Sequence, residues 1–252
     1  MKSKFSTRGL FIGGAAFIIA GVAAFIIAGG GHSTNTVAAP APAAAAETAP
    51  AAAAPTGTLT RLDPRSGSKM RIEGTSAIHD WQVESPLILG SLEVGPNFPL
   101  EAGQTVSPGK VEAKGQATIK VQSLRSVEKD GKFASDTMDL KMYNMMSYTN
   151  YPFIVYRLTD LTLKEVPKEK TDPYVFDSKG ELAIAGVTNK ISMPVNVLPQ
   201  AGGKIKITGT IGLKMTDFKI EPASIIVAKT GDDVKIKFEW MVGKKAAPAA
   251  AK

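Results

Sequence analysis

Apolar and polar residues alternate along several stretches of this chain. Val111, Ala113, Gly115, Ala117, Ile119 and Val121 are interleaved with Glu112, Lys114, Gln116, Thr118, Lys120 and Gln122. Ile205, Ile207, Gly209, Ile211, Leu213 and Met215 alternate with a mainly Lys and Thr face. Val234, Ile236, Phe238, Trp240 and Val242 repeat the pattern, and Ile191 to Val197 follows it more weakly. A period of two with one wet face predicts antiparallel strands covering one apolar interior. Further strands are predicted over 58–63, 69–75, 78–84, 87–95, 153–164 and 174–184. Turn residues separate them, among them Pro64-Arg65-Ser66-Gly67, Ser178-Lys179-Gly180 and Gln200-Ala201-Gly202-Gly203. Long amphipathic strands remove their exposed edges by closing on themselves. The fold class is therefore all-β: an antiparallel, up-and-down β-barrel of about eight strands.

One helix is predicted before Tyr151-Pro152, because the residue before a proline leaves the helical region. Ser135 or Asp136 can cap it. Met138, Met142, Met145 and Met146 then fall on one stripe. That stripe either packs on the barrel wall or forms an adaptable lip for an apolar ligand.

The first part of the chain follows a different pattern. Leu10 to Ala28 is 19 residues without a charge, preceded by Lys2, Lys4 and Arg8. As a helix it spans roughly 28 Å, the thickness of a bilayer core. It is either a signal anchor or a cleaved signal peptide, with Ala28-Gly29-Gly30 as small residues for cleavage; its length favours the anchor. In both cases the basic residues stay in the cytoplasm and the rest is exported. Twelve Ala and four Pro fill Ala38 to Pro55, which predicts a disordered tether. The organisation read from the chain is thus 1–31 anchor or signal, 32–57 linker, 58–243 barrel and 244–252 disordered tail.

The net charge of +7 changes meaning once it is located. Six of the 30 basic residues lie in the two ends, and all acidic residues but Glu47 lie in the middle, which is nearly balanced. A basic face for nucleic acid is therefore not expected. The chain has no cysteine and two histidines, His32 and His79. That excludes disulfides, thiolate metal sites and a Cys nucleophile, and leaves no cofactor or metal site to predict. No GxSxG or phosphate-binding glycine loop is present. His79-Asp80-Trp81 is the most conspicuous polar cluster. On a regular strand His79, Trp81 and Val83 share a face, and Asp80 points away from them. An enzyme acting through His79 would have only that imidazole, and the bland reading is a histidine bonded to backbone beside a core tryptophan. Glu128, Asp130, Asp136 and Asp139 read as a solvated acidic loop.

If the interior holds a ligand, the candidates to line it are Trp81, Val83, Ala117, Ile119, Ile207, Ile211, Leu213, Phe238 and Trp240 on strands, with Met142 and Met145 on the helix. The small residues Gly115, Ala117 and Gly209 either leave space or accommodate bulky neighbours. A packed structural barrel and a binding module both fit the pattern.

Several segments carry a more specific signal. Gly180-Glu181-Leu182-Ala183-Ile184-Ala185-Gly186-Val187-Thr188-Asn189-Lys190-Ile191-Ser192-Met193-Pro194-Val195 resembles the G-x-L-x-I-x-G-V-T-K-x-V-x-L-P-V segment of the bacterial YceI-like polyisoprenoid-binding family. Lys214-Met215-Thr216-Asp217-Phe218-Lys219-Ile220 is similar to that family's Asp-Phe-Gly-Ile segment, with Lys219 where Gly is usual. Tyr151-Pro152-Phe153-Ile154-Val155-Tyr156 resembles its Y-P-x-I-x-F, and His79 to Val83 and Met138 to Tyr143 match one branch. The resemblance implies a lipocalin-like periplasmic barrel with one helix that holds a long isoprenoid chain and has no catalytic residues. It points to an isoprenoid or other long-chain lipid or quinone as partner, and to a protein attached to the inner membrane through its N-terminal helix, or secreted after cleavage. Whether it is a monomer or a homodimer is not legible in the pattern.

Overall fold

The structure, a computed structural model, describes residues 58–225 and 228–244. The predicted anchor, the whole linker and nearly all of the tail lie outside the described residues. Among the described residues, no helix is long and apolar enough to cross a membrane.

Eight strands close into a ring in the order β1 (Thr60–Pro64), β4 (Leu89–Val94), β6 (Ala113–Lys120), β8 (Phe153–Glu165), β9 (Tyr174–Ile184), β10 (Val187–Gln200), β11 (Lys204–Lys214) and β13 (Ala228–Lys244). Every pairing is antiparallel, and β1 closes the ring on β13 with Leu62 opposite Lys244. The sheet continues past the ring as β2 (Lys69–Ser76), β3 (Trp81–Ser85) and β7 (Arg125–Val127). These prolong β1, β4 and β6. β1 meets β4 at Leu62–Leu92 and β2 meets β3 at Met70–Ser85, registers that differ by one residue. So the first three staves of the barrel are each broken once: at 65–68 with Gly67 at φ 101°, at 86–88, and at a 3₁₀ turn, Val121–Ser123. Pro86 has no N–H to give a ladder, so a break beside it loses no hydrogen bond. Two short strands, β5 (Gly109–Lys110) and β12 (Ser224–Ile225), pair with β8 and β13.

The alternation reads through to burial. On β9 the inward residues Tyr174, Phe176, Ser178, Gly180, Leu182 and Ile184 are all buried, while the residues between them are half-buried or exposed. Gly209 accommodates a neighbour and leaves no void: a Cβ there would lie 2.6 Å from Cζ of Phe238, its cross-strand partner. Aromatic rings lying over cross-strand glycines fix register in curved sheets.

Three expectations are corrected. The 78–84 strand begins only at Trp81: His79 sits in the β2–β3 turn, exposed, with Nδ1 2.9 Å from the Asp80 carbonyl, so it does not share a strand face with Trp81 and Val83. The helix α1 (Asp136–Met145) has Ser135 at its N-cap without a side-chain cap bond. Asp139 is not solvated but 2% exposed. Its carboxylate accepts from the Ser126 N–H at 2.6 Å and from Arg125 Nε at 2.6 Å, and the Tyr143 hydroxyl donates to the Leu124 carbonyl. These bonds fasten α1 to β7. The face of α1 turned to β7 is therefore Asp139 and Tyr143, and Met138, Met142, Met145 and Met146 lie toward the barrel interior, with Met146 buried.

Candidate functional site: an apolar chamber inside the barrel

One end of the barrel is filled. The segment between β4 and β6 folds across it, anchored by Gly95 N–H to Glu112 O and by the Tyr174 hydroxyl to Gln104 O. This brings Phe98 onto Phe176 with ring centroids 5.7 Å apart. Around the pair Leu62, Val94, Leu163, Ile205 and Val242 have no more than 1% exposure.

Above this floor lies a cavity of about 490 Å³. That is within the usual range of small-molecule sites. It extends to the end carrying α1 and the β2–β3 turn, where Ile78, His79, Met138, Lys141 and Lys214 meet solvent. All eleven residues selected from the sequence line it: Trp81, Val83, Ala117, Ile119, Ile207, Ile211, Leu213, Phe238 and Trp240 from the strands, Met142 and Met145 from α1. Val83, Ile119, Ile207 and Trp240 are buried, and the others are half-buried because they face the chamber. Lys141, Lys214 and His79 are the ionisable lining groups besides Tyr156, and all three are at the mouth. Lys214 is paired with Asp233 at 3.1 Å. Its ammonium is held above its ordinary pKa by that carboxylate.

Sequence reasoning missed four features of the lining. Phe98 comes from a loop with no periodicity. Phe218 and Ile220 follow a strand and close part of the mouth through a 3₁₀ turn, Thr216–Phe218, that ends on Lys219 at φ 56°. This is the left-handed conformation that glycine adopts most easily. Ser178-Lys179-Gly180, expected as a turn, lies inside the continuous strand β9, and Ser178 there takes an inward, buried position. Tyr156 is hidden in Phe153-Ile154-Val155-Tyr156, where both strand faces are apolar. The Tyr156 and Ser178 hydroxyls are 2.7 Å apart, and burial pushes the Tyr156 phenol above its ordinary pKa.

His79 has a backbone neighbour and no carboxylate partner, and among the described residues no cluster of metal-ligating side chains exists. The chamber can enclose an apolar body.

The YceI-like domain family matches residues 69–242, more than half of the chain. The chain belongs to that family. No curated protein matches the sequence. Among solved structures, a polyisoprenoid binding domain from Saccharophagus degradans, implicated in plant cell wall breakdown, aligns at 12% identity and TM-score 0.51, over 74% of this chain and 99% of that one. BcnA of Burkholderia cenocepacia aligns at 16% identity and TM-score 0.50, over 69% and 95%. At these identities the likeness is one of fold.

Proposed function

We propose that this YceI-like protein is a periplasmic carrier that holds a long-chain isoprenoid or another apolar lipid, such as a quinone or polyprenyl lipid, inside the barrel and performs no chemistry on it. The observation that carries this reading is the 490 Å³ apolar chamber, closed at one end and reaching solvent at the other. A packed structural barrel would have no such space. The polyisoprenoid binding described for the Saccharophagus degradans domain supports the same reading. Each five-carbon isoprene unit buried contributes roughly 4 kcal/mol gross at about 0.8 per CH₂, less the ordering costs of association. A charged head finds no partner in the chamber and belongs at the mouth, near Lys141. The Leu10–Ala28 segment would anchor the protein to the inner membrane, and the Ala/Pro linker would keep the barrel close to the bilayer that supplies the ligand.

The test is calorimetry of a polyprenyl or quinone lipid below its micellar threshold, together with mass spectrometry of the organic extract from protein purified out of its native host. One lipid bound per barrel at micromolar concentration is expected. Absence of both prenyl and acyl binding at that concentration refutes the carrier. Cell fractionation and N-terminal sequencing address the anchor: a soluble product beginning near Gly31 means a cleaved signal.

A further inference from the structure

Tyr156 and Ser178 are a hydrogen-bonded pair of hydroxyls in a mostly apolar chamber, whose lining also includes Trp240 with a buried, unpartnered Nε1–H. Ser178 is 3% exposed, and its hydroxyl lies 2.7 Å from that of Tyr156. Both residues line the cavity. Among the described residues neither side chain has another hydrogen-bond partner. Two hydroxyls joined by one hydrogen bond use one hydrogen between them. Whichever is the donor, the other retains an O–H with no acceptor in the wall. A buried donor left without a partner is unfavourable.

The position is built. Tyr156 stands opposite Leu182 in the β8–β9 ladder, and its ring runs down β9 across Gly180 to reach Ser178. A Cβ at residue 180 would lie 2.6 Å from Cε2 and Cζ of that ring, so only glycine leaves room for it. As a staple between strands the pair would be redundant, because β8 and β9 already pair from Val155–Ala183 to Glu165–Val175. A phenylalanine and an alanine would fill nearly the same space with no polar group to satisfy.

We infer that the Tyr156–Ser178 pair is a subsite for an uncharged oxygen acceptor, a carbonyl or ether, carried on the apolar ligand and held within the barrel. This deepens the carrier reading and rests on it. The oxygen must be uncharged, because the lysines that line the chamber, Lys141 and Lys214, are at its mouth, and a carboxylate or phosphate at mid-depth would be buried without a counter-charge. Phenol and serine hydroxyls suit a neutral carbonyl, which accepts one or two hydrogen bonds and donates none.

The test compares two probes on the full-length protein: geranylgeranylacetone, a polyprenyl ketone, and the hydrocarbon in which a methylene replaces its carbonyl. Affinities are measured by competition against Trp fluorescence for the wild type, Y156F, S178A and the double variant. The infrared carbonyl stretch of the bound ketone is recorded in parallel. The wild type should prefer the ketone by about tenfold over the hydrocarbon, the equivalent of one hydrogen bond. Its carbonyl stretch should fall below that in an apolar solvent. The double variant should lose both the preference and the shift while keeping the hydrocarbon affinity, which also shows that it is folded. Equal affinity for the two probes in the wild type, with an unshifted carbonyl, overturns the inference and leaves the carrier standing. So does a ketone preference that survives in the double variant. Failure of the wild type to bind either probe removes the carrier reading and this subsite together.

Discussion

At the floor of the barrel, Phe98 and Phe176 stack among side chains that have lost all contact with water. At the other end the same strands present Trp81, Ile211, Leu213 and Phe238, half-buried around an open chamber, and Ile78 and Met138 stand exposed on its rim at 65% and 44%. The alternation of the strands is the same at both ends. What differs is what covers them. A loop docks across the floor through backbone bonds and brings an aromatic plug, whereas a short helix sits at the side of the mouth, tied down by one buried carboxylate. One end of the barrel provides stability, and the other keeps apolar surface available.

Paired truncations should break this comparison most sharply. Phe176→Ala at the floor is expected to cost about 3–5 kcal/mol in denaturant unfolding. Ile211→Ala in the chamber wall truncates a side chain that is only half-buried and should cost under about 2 kcal/mol, while weakening lipid binding. Equal costs would mean that the chamber is as tightly packed as the floor. Asp139→Ala comes next. It removes a charge-assisted bond to the Ser126 N–H and the Arg125 contact, an expected loss of about 2–3 kcal/mol. Hydrogen exchange should show the loss confined to α1 and β7, with β9 and β11 unchanged; a uniform loss would show that the mouth is not a separately held region. The exposed Arg125–Asp136 bridge beside it should matter far less.

Lys219→Gly tests the turn that closes part of the mouth. Relieving a left-handed φ at a side-chain-bearing residue should stabilise by about 0.5–1 kcal/mol, visible as a small rise in Tm. The last test is alkaline. Burial raises the folded-state pKa of Tyr174 at the floor and of Tyr156 in the chamber above 10. The unfolded chain then releases these protons first, so stability is complete below about pH 10 and declines as pH rises beyond it. A bound lipid should push the Tyr156 titration further up and leave that of Tyr174 in place.

The chamber was legible where one strand face is wet. The Lys, Thr and Glu residues between the apolar positions of β6, β11 and β13 define the inward parity without ambiguity, so Ala117, Ile207 and Phe238 could be placed on the inner face. It was not legible on β8, where Phe153 remains 45% exposed beside the inward Ile154 and Tyr156. Alternation says nothing when both faces are apolar. The broken staves escaped notice because each half reads as a complete short strand, and only the nearly shared register of β1–β4 and β2–β3 shows their continuity. Asp139 escaped for the opposite reason. Its setting among other acidic residues suggests solvent, and the arginine and amide that bury it become its neighbours only after β7 and α1 pack.

The ring closure has a practical consequence. Because Leu62 lies opposite Lys244, the two ends of the barrel's chain leave side by side, at the packed floor and away from the mouth. Anything fused to either side is held by the base of the cup. A fluorescent reporter, a surface linkage or an extra domain can therefore be attached without obstructing what enters. The two ends are also near enough for a short peptide to join them, with new ends opened in the exposed 166–172 connection between β8 and β9.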